Sequence, residues 1–250
     1  MIALITGVTA GIGKASAELF AKNGWSLILT GRRKEKLEAL AADLQKKYNI
    51  KTLCLNFDVR NLKDVQKNIE SISGEWKNID VLLNNAGLAS GLSTIQEGDI
   101  NDWEIMIDTN IKGLLYMTRT IAPLMVKKNS GHIINVASIA GKQVYPNGNV
   151  YCATKFAVDA LSKAMRLDML EHGIRVTNIA PGLVETEFSL VRFKGDEARA
   201  KKTYENIKAL SADDIAEVIY WAASRPAHVN IADVVITPTA QANAYVVNRK

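Results

Sequence analysis

Apolar residues in this chain fall into two rhythms. Short runs dense in Val, Ile and Leu recur at 2–6, 25–30, 52–58, 80–83, 133–136, 175–179 and 233–236. Between them lie longer stretches whose apolar positions return every three or four residues, at 14–23, 34–48, 62–73, 102–127 and 150–172. An unbroken apolar run fits a strand buried on both faces, as in a parallel sheet; the longer period fits amphipathic helices. Their alternation predicts an α/β architecture: a Rossmann-like, doubly wound parallel sheet of about seven strands with helices on both faces. Residues 88–98 follow neither rhythm and read as a loop over the crevice. No repeat, low-complexity tract or linker interrupts the pattern, so one domain over 1–250 is expected.

Composition and charge narrow the function classes. A chain of 250 residues can bury the core of one large domain. No run of eighteen or more apolar residues suggests a membrane span. Met1 leads directly into the first apolar run, with no basic segment and cleavage site before it, so a cytoplasmic setting is expected. Cys54 and Cys152 form neither a metal-ligand spacing nor a disulfide framework. The formal net charge of +5 is spread among acidic neighbours, as in Lys34-Glu35-Lys36, and not gathered into a stripe. That argues against nucleic acid and fits a small anionic ligand equally well.

The first run ends in Thr6-Gly7-Val8-Thr9-Ala10-Gly11-Ile12-Gly13, and a helical stretch follows. Strand, glycine-rich turn and helix aim helix N-terminal amides at a phosphate, which makes Gly7, Thr9, Gly11, Ile12 and Gly13 candidates to hold one. A Walker A loop is excluded, because Val8 and Ala15 stand where it needs Gly and Ser/Thr. After the second run, NAD binders carry an acidic residue for the ribose 2′-hydroxyl. Here Arg32 and Arg33 stand instead. Cations at a helix N-terminus oppose the helix dipole, so they point to an anion, the 2′-phosphate of NADP; the plain alternative is a solvated basic turn. In a doubly wound sheet, ligands bind at the carboxyl ends of the strands. That edge carries the glycine turn, Arg32, Asp58-Val59 (expected beside an adenine), Asn85-Ala86-Gly87, Ser138 and Pro181-Gly182.

Tyr151 and Lys155 lie four apart, on one face of a helix. A free phenol titrates at about 10, and a neighbouring ammonium would lower that value into the range of a general acid or base. Taken singly, each feature has a plain alternative: Tyr and Lys on a solvated helix face, Ser138 as a helix cap, Asn110 as a hydrogen bonder inside a helix, Pro181-Gly182 as a turn. His132, His172 and His228 lack ligand spacing, Cys152 reads as packing, and no metal is implied.

Together, Thr6-Gly7-x-x-x-Gly11-Ile12-Gly13, Asn84-Asn85-Ala86-Gly87, Asn110, Ser138, Tyr151-x-x-x-Lys155 and Pro181-Gly182-x-Val184-x-Thr186 resemble the short-chain dehydrogenase/reductase family along the whole chain. The resemblance implies that Tyr151 exchanges the substrate hydroxyl proton while hydride passes to or from nicotinamide. It implies that Lys155 lowers the Tyr151 pKa and holds the nicotinamide ribose, that Ser138 binds the substrate oxygen, and that Asn110 anchors a water beside Lys155. The glycine turn, Asn85-Ala86-Gly87 and Pro181 to Thr186 would hold the cofactor. The segment 187–208 would be the substrate lid. Its string Glu187-Phe188-Ser189-x-Val191-Arg192-Phe193-Lys194-Gly195-Asp196, with Thr109-Asn110-x-Lys112-Gly113-Leu114 and Pro226-Ala227-His228-Val229-Asn230-Ile231, looks like the NADP-dependent 3-hydroxy acid dehydrogenase branch. That branch implies a small carboxylate substrate such as serine, allo-threonine or 3-hydroxypropionate, and a homotetramer packed through the helices at 102–127 and 150–172. Arg192 and Lys194 are then the candidates for the carboxylate, Arg192 first because a guanidinium binds it bidentately. Gln143, Tyr145 and the loop 88–92 would shape the rest of the pocket. The alternatives are a 3-oxoacyl carrier-protein reductase, which needs an open apolar pocket, and a dinucleotide-sensing protein without turnover.

Overall fold

The computed structural model describes every residue from 1 to 250. The seven apolar runs form strands β1 (Ile2–Thr6), β2 (Ser26–Gly31), β3 (Thr52–Asn56), β4 (Val81–Asn84), β5 (Gly131–Val136), β6 (Ile174–Pro181) and β7 (Asp233–Ile236). They pair in parallel in one sheet, in the order β3-β2-β1-β4-β5-β6-β7. Connecting them are α1 (Gly11–Lys22), α2 (Lys34–Tyr48), α3 (Leu62–Glu70), α4 (Ile100–Ile107), α5 (Leu114–Lys127), α6 (Asn149–Asp168), α7 (Phe188–Arg192), α8 (Glu197–Lys202) and α9 (Ala212–Ala223).

Alternate strand residues point to opposite faces, and both faces are covered. Leu4, Ile28, Leu82 and Ile133 enter one core with Val65 of α3, Ile121 of α5 and Val158 of α6. Ile5, Leu27, Leu29 and Ile134 enter the other with Phe20 of α1, Leu37 and Leu44 of α2, and Ile219 of α9. Two covered faces explain why the strands read as unbroken apolar runs. The chain lays β2 and β3 to one side of β1, then returns to lay β4 on the other. This reversal opens a crevice at the carboxyl ends of β1 and β4. No helix is long and apolar enough to cross a membrane.

Three elements depart from the sequence pattern, and the first two bear on the crevice. The continuous period at 102–127 is divided: a π-helical turn, Asp108–Gly113, separates α4 from α5 and carries Asn110. Such widened turns relieve the i→i−4 ladder and recur at functional sites. The third strand stops at Asn56, which leaves Asp58 and Val59 on a loop beyond the sheet edge. The stretch 150–172 ends as a helix at Asp168, with a separate 3₁₀ turn at Leu170–His172. After β7 the chain runs back across the carboxyl edge. There Gln241 Oε1 accepts the Leu183 N–H at 2.8 Å, and Arg249 donates to the carbonyls of Glu205 (2.6 Å) and Thr203 (3.0 Å).

Candidate active site

The end of β1 is pinned to the end of β4. The Thr6 hydroxyl accepts the N–H groups of Asn85 (3.0 Å) and Ala86 (2.9 Å) and donates to the Leu83 carbonyl (3.3 Å). Above this pin the glycine turn enters α1. Gly11 sits at φ +52°, a left-handed conformation that strains any residue with a Cβ. The N-terminus of α1 has no side-chain cap and no acidic residue in its first turn. Its first amides are therefore open to an anion. Gly13 takes a different part from the one its motif suggests. It does not line the crevice; a Cβ there would meet Asn85 Nδ2 and the Gly7 carbonyl, so its small size lets α1 pack against the turn.

The two arginines flank the start of α2, as their position implies, and both have carboxylate partners. Arg32 Nη1 lies 3.6 Å from Asp58 Oδ2. Arg33 Nη1 lies 3.0 Å from Glu187 Oε2, and its Nε donates to Thr9 Oγ1 at 3.0 Å. Burial raises the Asp58 carboxyl, but hydrogen bonds from Arg60 (Nη2 to Oδ2, 2.6 Å) outweigh it and hold the group below its ordinary range. Arg60 and Glu187 carry no local signature that would have assigned them these pairings.

At the other end of the crevice, Ser138 follows β5, and Tyr151 and Lys155 occupy the first turns of α6. Tyr151 is 8% exposed and Lys155 6%. The Lys155 ammonium donates to the Val136 carbonyl at 2.9 Å and lies 5.9 Å from the Tyr151 ring centroid. Burial lowers Lys155 to about 8. The expected lowering of Tyr151 by Lys155 is corrected here: burial, and next the neighbouring Tyr145, push the Tyr151 phenol up. The groups that pull it down are the Ser138 hydroxyl and the Arg192 guanidinium, not Lys155. Ser138 also caps the short turn Ile139–Gly141, accepting the Ala140 N–H at 3.1 Å.

Asn110 lies behind this group. Its Nδ2 donates to the Leu88 carbonyl (2.8 Å) and to Thr154 Oγ1 (3.0 Å), while its Oδ1 accepts the Leu88 N–H (2.9 Å). The side chain is thus fastened to Leu88 and Thr154. The widened π-turn lets it reach both. Gly87 brings this clamp close to Lys155, since a Cβ there would stand 3.3 Å from Asn110 Oδ1 and 3.5 Å from Lys155 Nζ.

The segment after β6 forms the far wall. Arg192 donates from Nη1 to the Tyr145 hydroxyl at 2.9 Å, and its guanidinium stands 5.4 Å from the Tyr145 ring and 5.6 Å from the Tyr151 ring. Lys194 turns the other way, to Asp102 at 2.9 Å and Asp99 at 3.6 Å, and does not line the cleft. Gln143 likewise faces elsewhere and accepts the Ala244 N–H at 3.2 Å.

One cleft of about 570 Å³ joins the two ends, well inside the range of small-molecule sites. Of the residues singled out for chemistry, cofactor or carboxylate, all lie along its wall except Gly13, Asn110 and Lys194. Thr109 also lines it, and its buried hydroxyl has no partner within the protein. That orphaned oxygen, the uncapped helix and the two arginines fit a bound phosphorylated dinucleotide. His132 stays apart: buried in β5, it bonds Thr177 Oγ1 at 2.7 Å, and desolvation lowers it to about 3.

The geometry agrees with what the chain resembles. The profile of the family described as short chain dehydrogenase matches residues 1–197. The NADP-dependent 3-hydroxy acid dehydrogenase YdfG of Salmonella typhi is 50% identical over 98% of this chain and 97% of that relative. Sulfoacetaldehyde reductase 2 of Chromohalobacter salexigens is 44% identical over 99% of this chain and 98% of its own length. Among solved structures, the closed form of a serine dehydrogenase complexed with NADP⁺ superposes with a TM-score of 0.93, at 46% identity, over 98% of this chain and 97% of that one.

Proposed function

The chain belongs to the short-chain dehydrogenase family, and from that premise we propose that it is an NADP-dependent dehydrogenase of small 3-hydroxy acids. The observation that carries the substrate class is the Arg192 guanidinium standing over Tyr151, hydrogen-bonded to Tyr145. A cation there suits an anion close to the reacting carbon. The named substrates of the relatives agree. In a 3-oxo acid and in sulfoacetaldehyde alike, one carbon separates the carbonyl carbon from the carbon or sulfur of the anionic group. The same charged group supports a small acid over a long acyl thioester, which needs an apolar path.

NADP, when bound, supplies the nicotinamide that accepts or donates hydride. The glycine turn and the α1 N-terminus would hold its pyrophosphate, and Arg32 and Arg33 its 2′-phosphate. The residues of the chain handle the proton and the charge. Tyr151 Oη gives its proton to the substrate oxygen in reduction and takes the hydroxyl proton in oxidation. The raised phenol of the free protein is the protonated form that reduction requires. Ser138 donates a hydrogen bond to the same oxygen and stabilises charge developing there. Lys155, near 8, passes a proton readily at neutral pH and takes hold of the nicotinamide ribose. Asn110 keeps the Leu88 backbone, and with it the loop over the site, in place. Residues 187–208 act as the lid.

The test is an assay of purified protein for NADP⁺ reduction with L-serine, L-allo-threonine and 3-hydroxypropionate, beside NADPH oxidation with a 3-oxoacyl thioester. Turnover of at least one acid is expected; turnover of the thioester alone would replace this reading with that of a carrier-protein reductase. The proposal extends to a homotetramer. Leu115 of α5, and Phe156 and Leu167 of α6, leave apolar surface exposed on the helices expected to pack between copies. Light scattering should give four times the chain mass, and a monomer mass would dismiss it.

A further inference from the structure

Lys194 stands two residues beyond Arg192 and yet faces away from the cleft, and the group it faces explains how the arginine is aimed. Arg192 is held chiefly through Gly91. Its carbonyl accepts the Gly91 N–H at 3.0 Å, and its Nε donates back to the Gly91 carbonyl at 3.2 Å. Gly91 thus holds the Arg192 backbone and Nε, beside the Tyr145 hydroxyl that accepts from Nη1. Gly91 is itself set against Asp102: it sits at φ +68°, and a Cβ there would stand 2.7 Å from Asp102 Oδ2. Its neighbour Ser90 donates to Asp102 Oδ1 at 2.7 Å. That same oxygen accepts Lys194 Nζ at 2.9 Å.

We infer that Asp102 is a positioning residue for the substrate: by fastening the Ser90–Gly91 loop on one side and Lys194 on the other, it holds the Arg192 guanidinium over Tyr151. Asp102 is buried enough to be fixed, its side chain 14% exposed against 58% for Lys194. The backbone reverses just before the contact: Lys194 at φ +53° and Gly195 at φ +94° close the C-terminus of α7, the Lys194 N–H bonding the Val191 carbonyl at 3.1 Å and the Gly195 N–H the Leu190 carbonyl at 2.9 Å. This main-chain cap sets where the Lys194 side chain starts, and the ion pair fixes where it ends. The plainer role for Asp102 is that of an acid in the first turn of α4, favourable to the helix dipole. In that role its loss would weaken the helix without changing how the site tells an acid from a neutral substrate.

This inference rests on Arg192 as the carboxylate anchor, and the test separates the two. KM and kcat are measured for a 3-hydroxy acid and for its uncharged methyl ester with wild type, Asp102→Asn, Lys194→Met, Lys194→Arg and Arg192→Ala. The Asp102→Asn and Lys194→Met variants should raise KM for the acid roughly three- to five-fold, the scale of one partly exposed ion pair. Their kcat, ester KM and NADP⁺ KM should stay at wild-type values, and Lys194→Arg should restore the acid KM. An unchanged acid KM in both, beside a raised one in Arg192→Ala, would overturn the role of Asp102 and leave the anchor standing. An unchanged acid-to-ester ratio in Arg192→Ala would overturn both. Should Asp102→Asn fail to fold, Lys194→Met carries the test alone; an equal rise for acid and ester there would mean general loosening and reject the inference.

Discussion

On the floor of the cleft, Ser138, Tyr151 and Lys155 stand at the end of β5 and the start of α6. Main-chain groups hold two of them: Lys155 bonds the Val136 carbonyl nineteen residues away, and Ser138 accepts the Ala140 N–H and donates to the Pro181 carbonyl at 3.4 Å. On the opposite wall, Glu187 and Arg192 lie beside and in the short helix α7, with Lys194 just beyond it facing away from the cleft. Their partners are distant in the chain: Arg192 reaches Gly91 across 101 residues, and Glu187 reaches Arg33 across 154. Floor positions follow from strands and helices that persist when side chains change. Wall positions depend on ion pairs and side-chain hydrogen bonds, each of modest strength at a partly exposed site. The floor is therefore suited to chemistry that must not move, and the wall to selecting and releasing a substrate.

The sharpest way to break this division is at Tyr151. Tyr151→Phe keeps the ring and removes the proton, so kcat should fall by roughly 10²–10⁴-fold with KM little changed. A variant with near-wild-type kcat would take the proton transfer away from this residue.

Lys155 sharpens the comparison through stability. Its folded pKa is about 8, below the 10.5 of the free side chain. Between these values the unfolded chain keeps a proton that the folded chain has released, so unfolding free energy rises with pH through that window. Below it the folded protein carries a buried charge at a cost of about 3 kcal/mol. Lys155→Met should therefore lose activity yet gain up to that amount of stability at pH 7, and should lack the rise between pH 8 and 10.5. Denaturant titrations of both proteins at several pH values measure this.

Smaller effects belong to the wall and the cofactor end. Arg192→Ala removes a charge-assisted contact and should raise KM for an acid by roughly ten-fold. Arg33→Ala should weaken NADP by about five- to ten-fold and leave NAD nearly unaffected. Comparable kcat/KM for the two cofactors in wild type would refute the part given to Arg32 and Arg33.

The same division governs what could be read from the chain. The sheet was legible because its inner strands are buried on both faces and leave short runs dense in Val, Ile and Leu. The floor was legible because its spacings are local: the glycine turn, Tyr151 to Lys155, Asn85 to Gly87. The π-turn was not, since Asp108–Gly113 keeps the apolar period of a helix while changing its hydrogen bonds. Nor was the direction of the Tyr151 shift, because four-residue spacing brings two side chains near but says nothing of burial. The direction in which Lys194 faces was hidden for a related reason. Two positions from Arg192 and of the same charge, it looks equivalent until the fold brings Asp102 beside it.

The most direct test of the account is one kinetic series: NADP⁺ reduction by a single 3-hydroxy acid with wild type, Tyr151→Phe and Arg192→Ala. The account predicts a loss confined to kcat in the first variant and confined to KM in the second. A kcat loss in Arg192→Ala as large as that in Tyr151→Phe, with KM unmoved in both, would contradict it, because floor and wall would then act as one unit.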